Sequence, residues 1–188
     1  MKKTGFTLVE LLVVITIIAI LAAVGLTVYK GAEKQGRIAK RVEDLKAIQT
    51  ALELYYANNK SYPVVTLGTN TGWRSECQSW GTKASNDVVP TSTNFVPNYM
   101  VAFPSDPQMD TANSRSCYLY TSDGYNYKVL VHDVAEFKDS DWVSQPNLID
   151  PNRDSGSNGC IVDLPDNDGT DRDIWSWAVW SSSTSACW

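Results

Sequence analysis

Residues 1–29 read MKKTGFTLVELLVVITIIAILAAVGLTVY, and this stretch decides the architecture. The nineteen residues from Leu11 to Tyr29 carry no charge, and only Thr16, Gly25 and Thr27 interrupt the apolar run. As an α-helix such a run rises roughly 28 Å, close to the hydrocarbon thickness of a bilayer. A cleavable secretory signal has a shorter apolar core followed by a small-residue cleavage site. Here the run passes without a break into a helical pattern, so it is expected to stay with the mature chain. Lys2 and Lys3 favour a cytoplasmic N-terminus. The seven basic side chains between residues 30 and 60 would then lie across the membrane, which suits a helix whose final place is not the bilayer. Glu10 is the anomaly. A carboxylate one turn into a membrane helix is costly unless it is interfacial or paired.

The next segment continues the helix. Ile38, Val42, Leu45, Ile48, Leu52 and Tyr55 or Tyr56 recur at spacings of three and four, an apolar stripe expected to lie on a sheet. Arg37, Lys40, Arg41, Glu43, Asp44, Lys46 and Glu53 are expected on the other, solvated faces. The stripe is too short, and too irregular in its heptads, for a coiled coil. Asn58-Asn59 supplies a C-cap and Pro63 prevents continuation. Gly25, Gly31 and Gly36 are the weak points of a helix of about fifty residues.

From Ser61 onward the pattern changes to short strands and long loops. Ser116–Thr121 and Tyr125–Asp133 read as a hairpin around Ser122-Asp123-Gly124, with one apolar and one mixed face on the second strand. Ile174–Trp180 reads as a third strand, with Trp175, Trp177 and Val179 on one face. Charge is segregated: residues 1–29 sum to +1, 30–60 to +3 and 61–188 to −9, within a net −5. That balance gives no reason to expect a nucleic acid partner. The single histidine, His132, lies in a strand pattern, and no P-loop, nucleophile elbow or HExxH motif occurs, so an enzyme is not expected. Cys77, Cys117, Cys160 and Cys187 are not at zinc-ligand spacing, and in an exported domain they read as two disulfides with three possible connectivities. The seven tryptophans are expected in core and subunit packing rather than in a sugar platform or electron path.

The residues Lys2-Lys3-Thr4-Gly5, then Phe6-Thr7-Leu8-Val9-Glu10, then Leu11-Leu12-Val13-Val14-Ile15, resemble the class III leader of type IV prepilins and type II secretion pseudopilins. The resemblance implies an α+β, pilin-like fold: a long N-terminal helix with a protruding apolar half, its C-terminal half packed on an antiparallel β-sheet head. It divides the chain into a leader (1–5), an apolar membrane and filament-core helix (6–29), an amphipathic helix half (30–60) and a β-rich head (61–188). It also implies cleavage after Gly5 by a membrane-embedded prepilin peptidase, N-methylation of Phe6, and pairing of Glu10 with the Phe6 amine of a neighbouring subunit. The Tyr118–Tyr127 run resembles pilin heads more loosely. By the same likeness Cys77 pairs with Cys117 and Cys160 with Cys187, tethering the C-terminal residues.

Asp163, Asp166, Asp168, Asp171 and Asp173, interleaved with Asn167 and Gly169, offer hard oxygen ligands of the kind calcium takes. They are similar in place to the calcium loop of major pseudopilins. The chain is therefore expected to be a homo-oligomeric subunit of an extracellular type IV pilus-like filament, held in the cytoplasmic membrane before assembly by the pilus or secretion machinery. A type II secretion pseudopilin is the first alternative. A bitopic membrane protein with a ligand-binding head that never polymerises is the second.

Overall fold

The computed structural model describes residues 7–65, 72–77, 88–90, 93–151 and 176–188. The chain divides into two units, Met1–Lys40 and Arg41–Trp188. One helix, α1 (Leu8–Asn59), contributes to both. It runs through Gly25, Gly31 and Gly36 without a break. It stops where Lys60 turns left-handed at φ 59°. The Lys60 N–H still donates to the Tyr56 carbonyl at 2.8 Å, which closes the helix end as an αL cap.

The second unit is built on a four-stranded antiparallel sheet in the order β1 (Arg74–Ser75), β2 (Cys117–Ser122), β3 (Tyr127–His132), β4 (Ser176–Trp180). The hairpin turn is one residue longer than expected. The Asp123 carboxylate accepts from the N–H groups of Tyr125 (2.8 Å) and Asn126 (2.7 Å), an Asx turn that lifts Tyr125 out of the ladder. At the other end Ser116 (φ 55°) and Asp133 (φ 44°) are left-handed and stop both strands together. The strands therefore run 117–122 and 127–132 rather than 116–121 and 125–133. The third expected strand is present from Ser176; Ile174 and Trp175 lie outside the described residues.

Both faces of the sheet are covered: all six residues of β3 are buried, those of its mixed face included. On one face Leu119, Leu130 and Ala178 pack with the Cys77–Cys117 disulfide. That bridge closes a separation of 40 residues, worth about 4 kcal/mol on the chain-entropy model. Lys128 is fully buried because its ammonium donates to Asp150 (2.6 Å) and to the main-chain oxygens of Ala186 (2.7 Å) and Trp188 (2.9 Å). Three donors meet three acceptors. On the other face lie Tyr118, Val129, Val131 and Trp177, and the Tyr118 hydroxyl donates to Asp44 of α1 at 3.0 Å. From α1 the buried side chains of this unit include Leu45, Ile48, Leu52 and Tyr55, as the spacing predicts, with Ala51 beside them and Val42 only half-buried.

Arg41 and Asp44 correct that reading, for both are buried rather than solvated. The Arg41 guanidinium donates to Asp106 through Nε (2.5 Å) and Nη2 (2.9 Å) and to Glu136 through Nη1 (2.6 Å). Its carbon stands 5.1 Å from the centre of the Phe137 ring. Two carboxylates and an aromatic face replace the water a charged side chain would lose. Arg41→Ala should therefore cost roughly 4 kcal/mol, because two carboxylates are left without their cation. In thermal melts of the detergent-solubilised chain that loss corresponds to a fall of about 8–16 °C. Replacing Arg41, Asp106 and Glu136 together by apolar residues of similar size should recover most of it. An unchanged melt for Arg41→Ala alone would show the cluster contributes nothing.

Candidate functional site

The N-terminal end of α1 presents an unusual surface. Every large apolar side chain from Leu8 to Leu26 is between 44% and 79% exposed. The segment is long and apolar enough to cross a membrane. For a water-facing surface that amount of contiguous hydrocarbon is untenable, so it requires lipid or protein around it. Glu10 is the one carboxylate in it.

Glu10 is held by the residue that opens the helix. The Thr7 N–H and the Thr7 hydroxyl both donate to Glu10 Oε2, at 2.8 and 2.7 Å. In return the Glu10 N–H donates to Thr7 Oγ1 at 3.2 Å. This is a reciprocal capping box, in which an N-cap threonine and the glutamate three residues on satisfy each other's orphan donors. The carboxylate is thereby fixed at the positive end of the helix dipole. The sequence signal for Thr7 was a threonine three residues before a glutamate at the head of an apolar run. Gly5 and Phe6, the expected cleavage and methylation positions, lie outside the described residues.

Other expected residues divide in the same way. Cys77 pairs with Cys117. Cys187 is disulfide-bonded too, while Cys160 lies outside the described residues. Asp163, Asp166, Asp168, Asp171 and Asp173 also lie outside them. Among the described residues no group of three or more metal-ligating side chains comes together. His132 is buried, its Nδ1 3.1 Å from the Ser176 hydroxyl, in a strand rather than a cleft. Sequence spacing alone did not point to the Arg41 cluster or to buried Lys128.

A membrane-length apolar helix opened by a Thr–Glu box and followed by a disulfide-bonded antiparallel head defines a pilin-like subunit. Residues 1–26 match the prokaryotic N-terminal methylation motif. Over 107 residues the chain is 32% identical to the type II secretion system core protein G of Escherichia coli K12, covering 56% of this chain and 67% of that protein. The corresponding protein of Klebsiella michiganensis is 33% identical over 108 residues, 56% of this chain and 68% of the relative. That of Vibrio cholerae is 37% identical over 67 residues, 36% of this chain and 46% of the relative. No solved structure matches. The chain belongs to the type IV pilin and type II secretion pseudopilin family.

Proposed function

We propose that this chain is a structural subunit of a helical, pilus-like filament, stored in the membrane through α1 and assembled by burying the same apolar surface between neighbours. The exposed Leu8–Leu26 surface with its single carboxylate carries this reading. The core protein G relatives favour a secretion pseudopilus over a surface pilus. In this reading a prepilin peptidase cuts after Gly5, Phe6 is methylated, and Glu10 leaves Thr7 to pair with the Phe6 amine of the next subunit. The filament then grows outward from the cytoplasmic membrane. The test is co-expression with an assembly machinery, followed by shearing and electron microscopy. Fibres carrying the chain support the reading; a product that stays in the membrane fraction as a monomer supports the non-polymerising alternative.

The capping box sets a graded expectation. Thr7→Ala removes the hydroxyl that serves both partners, a loss of about 1 kcal/mol. Because Glu10 leaves Thr7 on assembly, that loss falls on the free subunit alone, so the sheared fibre fraction should rise by up to about fivefold, and Thr7→Ser should return it to the wild-type level. Equal yields from all three would mean that Thr7 does not hold Glu10 before assembly.

Calcium binding by the acidic loop belongs to the same proposal. Five carboxylates within eleven positions fit a hard cation, and without one they would repel each other. A cation that binds only the folded chain stabilises it by about 2.7 kcal/mol at a hundredfold excess over Kd. The chain should melt higher in millimolar calcium than in EGTA, with magnesium doing much less. Asp168→Ala and Asp171→Ala should each remove most of the difference. Identical melts in calcium and EGTA would leave the loop as a solvated acidic turn.

A further inference from the structure

Of the seven basic side chains between residues 30 and 60, four fall in the first eleven positions: Lys30, Lys34, Arg37 and Lys40, against one acid, Glu33. Those eleven positions carry the whole excess of +3, while residues 41–60, with three bases and three acids, are neutral. Resting on the membrane-stored subunit of the filament reading above, we propose that this basic collar binds the phosphate headgroups of anionic phospholipid. It does so at the outer face of the cytoplasmic membrane, until the subunit is assembled.

The helix sets the depth of the collar. α1 runs unbroken through the apolar and basic segments, and no charge falls between Glu10 and Lys30. Twenty residues of α-helix rise about 30 Å, the thickness of the hydrocarbon layer, so these two charges mark its opposite boundaries. Tyr29, 68% exposed, stands at the outer boundary, where amphipathic rings collect. Lys34, Arg37 and Lys40 follow within about 15 Å of Lys30 along the axis. Lys34 and Arg37, four and seven positions on, share its face of the helix. The Debye length at physiological salt is about 8 Å, which puts Lys30 and Lys34 in the field of the headgroups and the other two at its edge.

Charge complementarity selects the partner. Basic residues ordinarily stay on the cytoplasmic side of a membrane helix, so a net +3 placed directly across the bilayer does not serve insertion. The one acid of the segment, Glu33, pairs with Arg37 at 2.8 Å and leaves the net charge as it is. Lys30 and Lys40 are exposed, and so are Gly31, Ala32, Gly36 and Ala39 between them. A Cβ added at Gly31 or Gly36 would meet nothing within 4 Å, so headgroups can approach the helix closely there. Arg41 marks where the collar ends, because its charge is answered within this chain by Asp106 and Glu136. Each basic side chain near an anionic surface favours that surface by about fivefold. A subunit that leaves the bilayer gives these contacts up, so anionic lipid holds it in store.

The experiment places the full chain in phosphatidylcholine bilayers with a trace of spin-labelled phosphatidylglycerol or spin-labelled phosphatidylcholine. Electron paramagnetic resonance reads the fraction of each lipid held beside the protein. At low salt phosphatidylglycerol should be favoured at least about twofold, the effect of each basic residue being averaged over every lipid around the helix. Raising salt from about 0.01 to 1 M shortens the Debye length from about 30 to 3 Å and should abolish the preference. Lys30→Gln/Lys34→Gln/Lys40→Gln keeps the Arg37–Glu33 pair, makes the segment neutral and should equalise the two lipids. Arginine at the same three positions should restore the difference. Lys2→Gln/Lys3→Gln should leave it unchanged, because those charges face the other leaflet. Equal restriction of both lipids by the wild type would overturn the proposal and leave the acidic head of a second copy as the collar's partner. A preference that survives the triple lysine change, or that follows Lys2 and Lys3, would also overturn it, and in each case the filament reading stands. A chain that does not insert in bilayers at all would overturn both.

Discussion

Glu10→Ala should insert in the membrane and be processed as the wild type is, yet yield at least a hundredfold fewer filaments. In the free subunit Glu10 Oε2 has two donors, both from Thr7, at 2.8 and 2.7 Å. Those contacts keep the carboxylate satisfied in the membrane but add nothing between subunits. In the proposed filament its partner is a neighbour's Phe6 ammonium. Removing one member of a buried ion pair strands the other, at about 3–5 kcal/mol. At 1.4 kcal/mol per decade that is about two to three and a half orders of magnitude per contact, repeated along the fibre. Alanine also lacks the side chain that accepts from Thr7, but a lost cap is worth only about 1 kcal/mol and leaves the helix standing. The variant is therefore expected to accumulate as a cleaved, membrane-inserted monomer. Gly5→Leu separates the steps, because it should leave an uncleaved precursor that never reaches assembly. Immunoblots of membrane and sheared fractions read both, and wild-type filament yield from Glu10→Ala would remove the ion-pair role.

The contrast between Glu10 and Arg41 shows what could be read from the chain before its fold was known. Glu10 stands alone in an uncharged helix, and its partner Thr7 is three residues away, so both the anomaly and its local answer are visible in one turn. Arg41 looks like any charge on the polar side of an amphipathic helix. Its partners lie 65 and 95 residues away, and only the folded chain brings them together. Lys128 is the same case within the sheet. An alternating strand pattern places it on the mixed face without a partner in view, and only the approach of Asp150 and the main-chain oxygens of Ala186 and Trp188 lets it be buried. The strand ends were misplaced for a backbone reason: Ser116 and Asp133 adopt a conformation that glycine or asparagine would normally signal. The long helix was legible because its signal is redundant over fifty positions. β1, two residues long, has no periodicity to read.

The head should lose stability steeply above pH 10, and its tyrosines supply the reason. Burial raises the hydroxyls of Tyr62, Tyr118, Tyr120 and Tyr127 well above the ordinary 10.0. Negative neighbours act in the same direction: Asp44 beside Tyr118 and Glu53 beside Tyr62 and Tyr127. Tyr120 donates to the Pro63 carbonyl at 2.7 Å, a bond available only to the protonated phenol. Below pH 10 all four are protonated in both the folded and unfolded chain, and pH has no hold on the equilibrium through them. Above it the unfolded chain releases four protons that the folded head retains. Stability then falls by about 1.4 kcal/mol per group per pH unit, or roughly 6 kcal/mol per unit for the four. A domain with a net stability of about 5–15 kcal/mol is exhausted within a few pH units. Absorbance in the phenolate band and circular dichroism, followed together as the pH is raised, check this. Exposed tyrosines should ionise first, in a gradual phase with the fold intact. The buried four should then ionise in one cooperative step that coincides with loss of the circular dichroism signal. Tyr120→Phe removes one proton from the count, so its slope should fall by about a quarter. Gradual ionisation of all nine tyrosines near pH 10 with an unaltered spectrum would mean that the four phenols are not shielded as the fold places them.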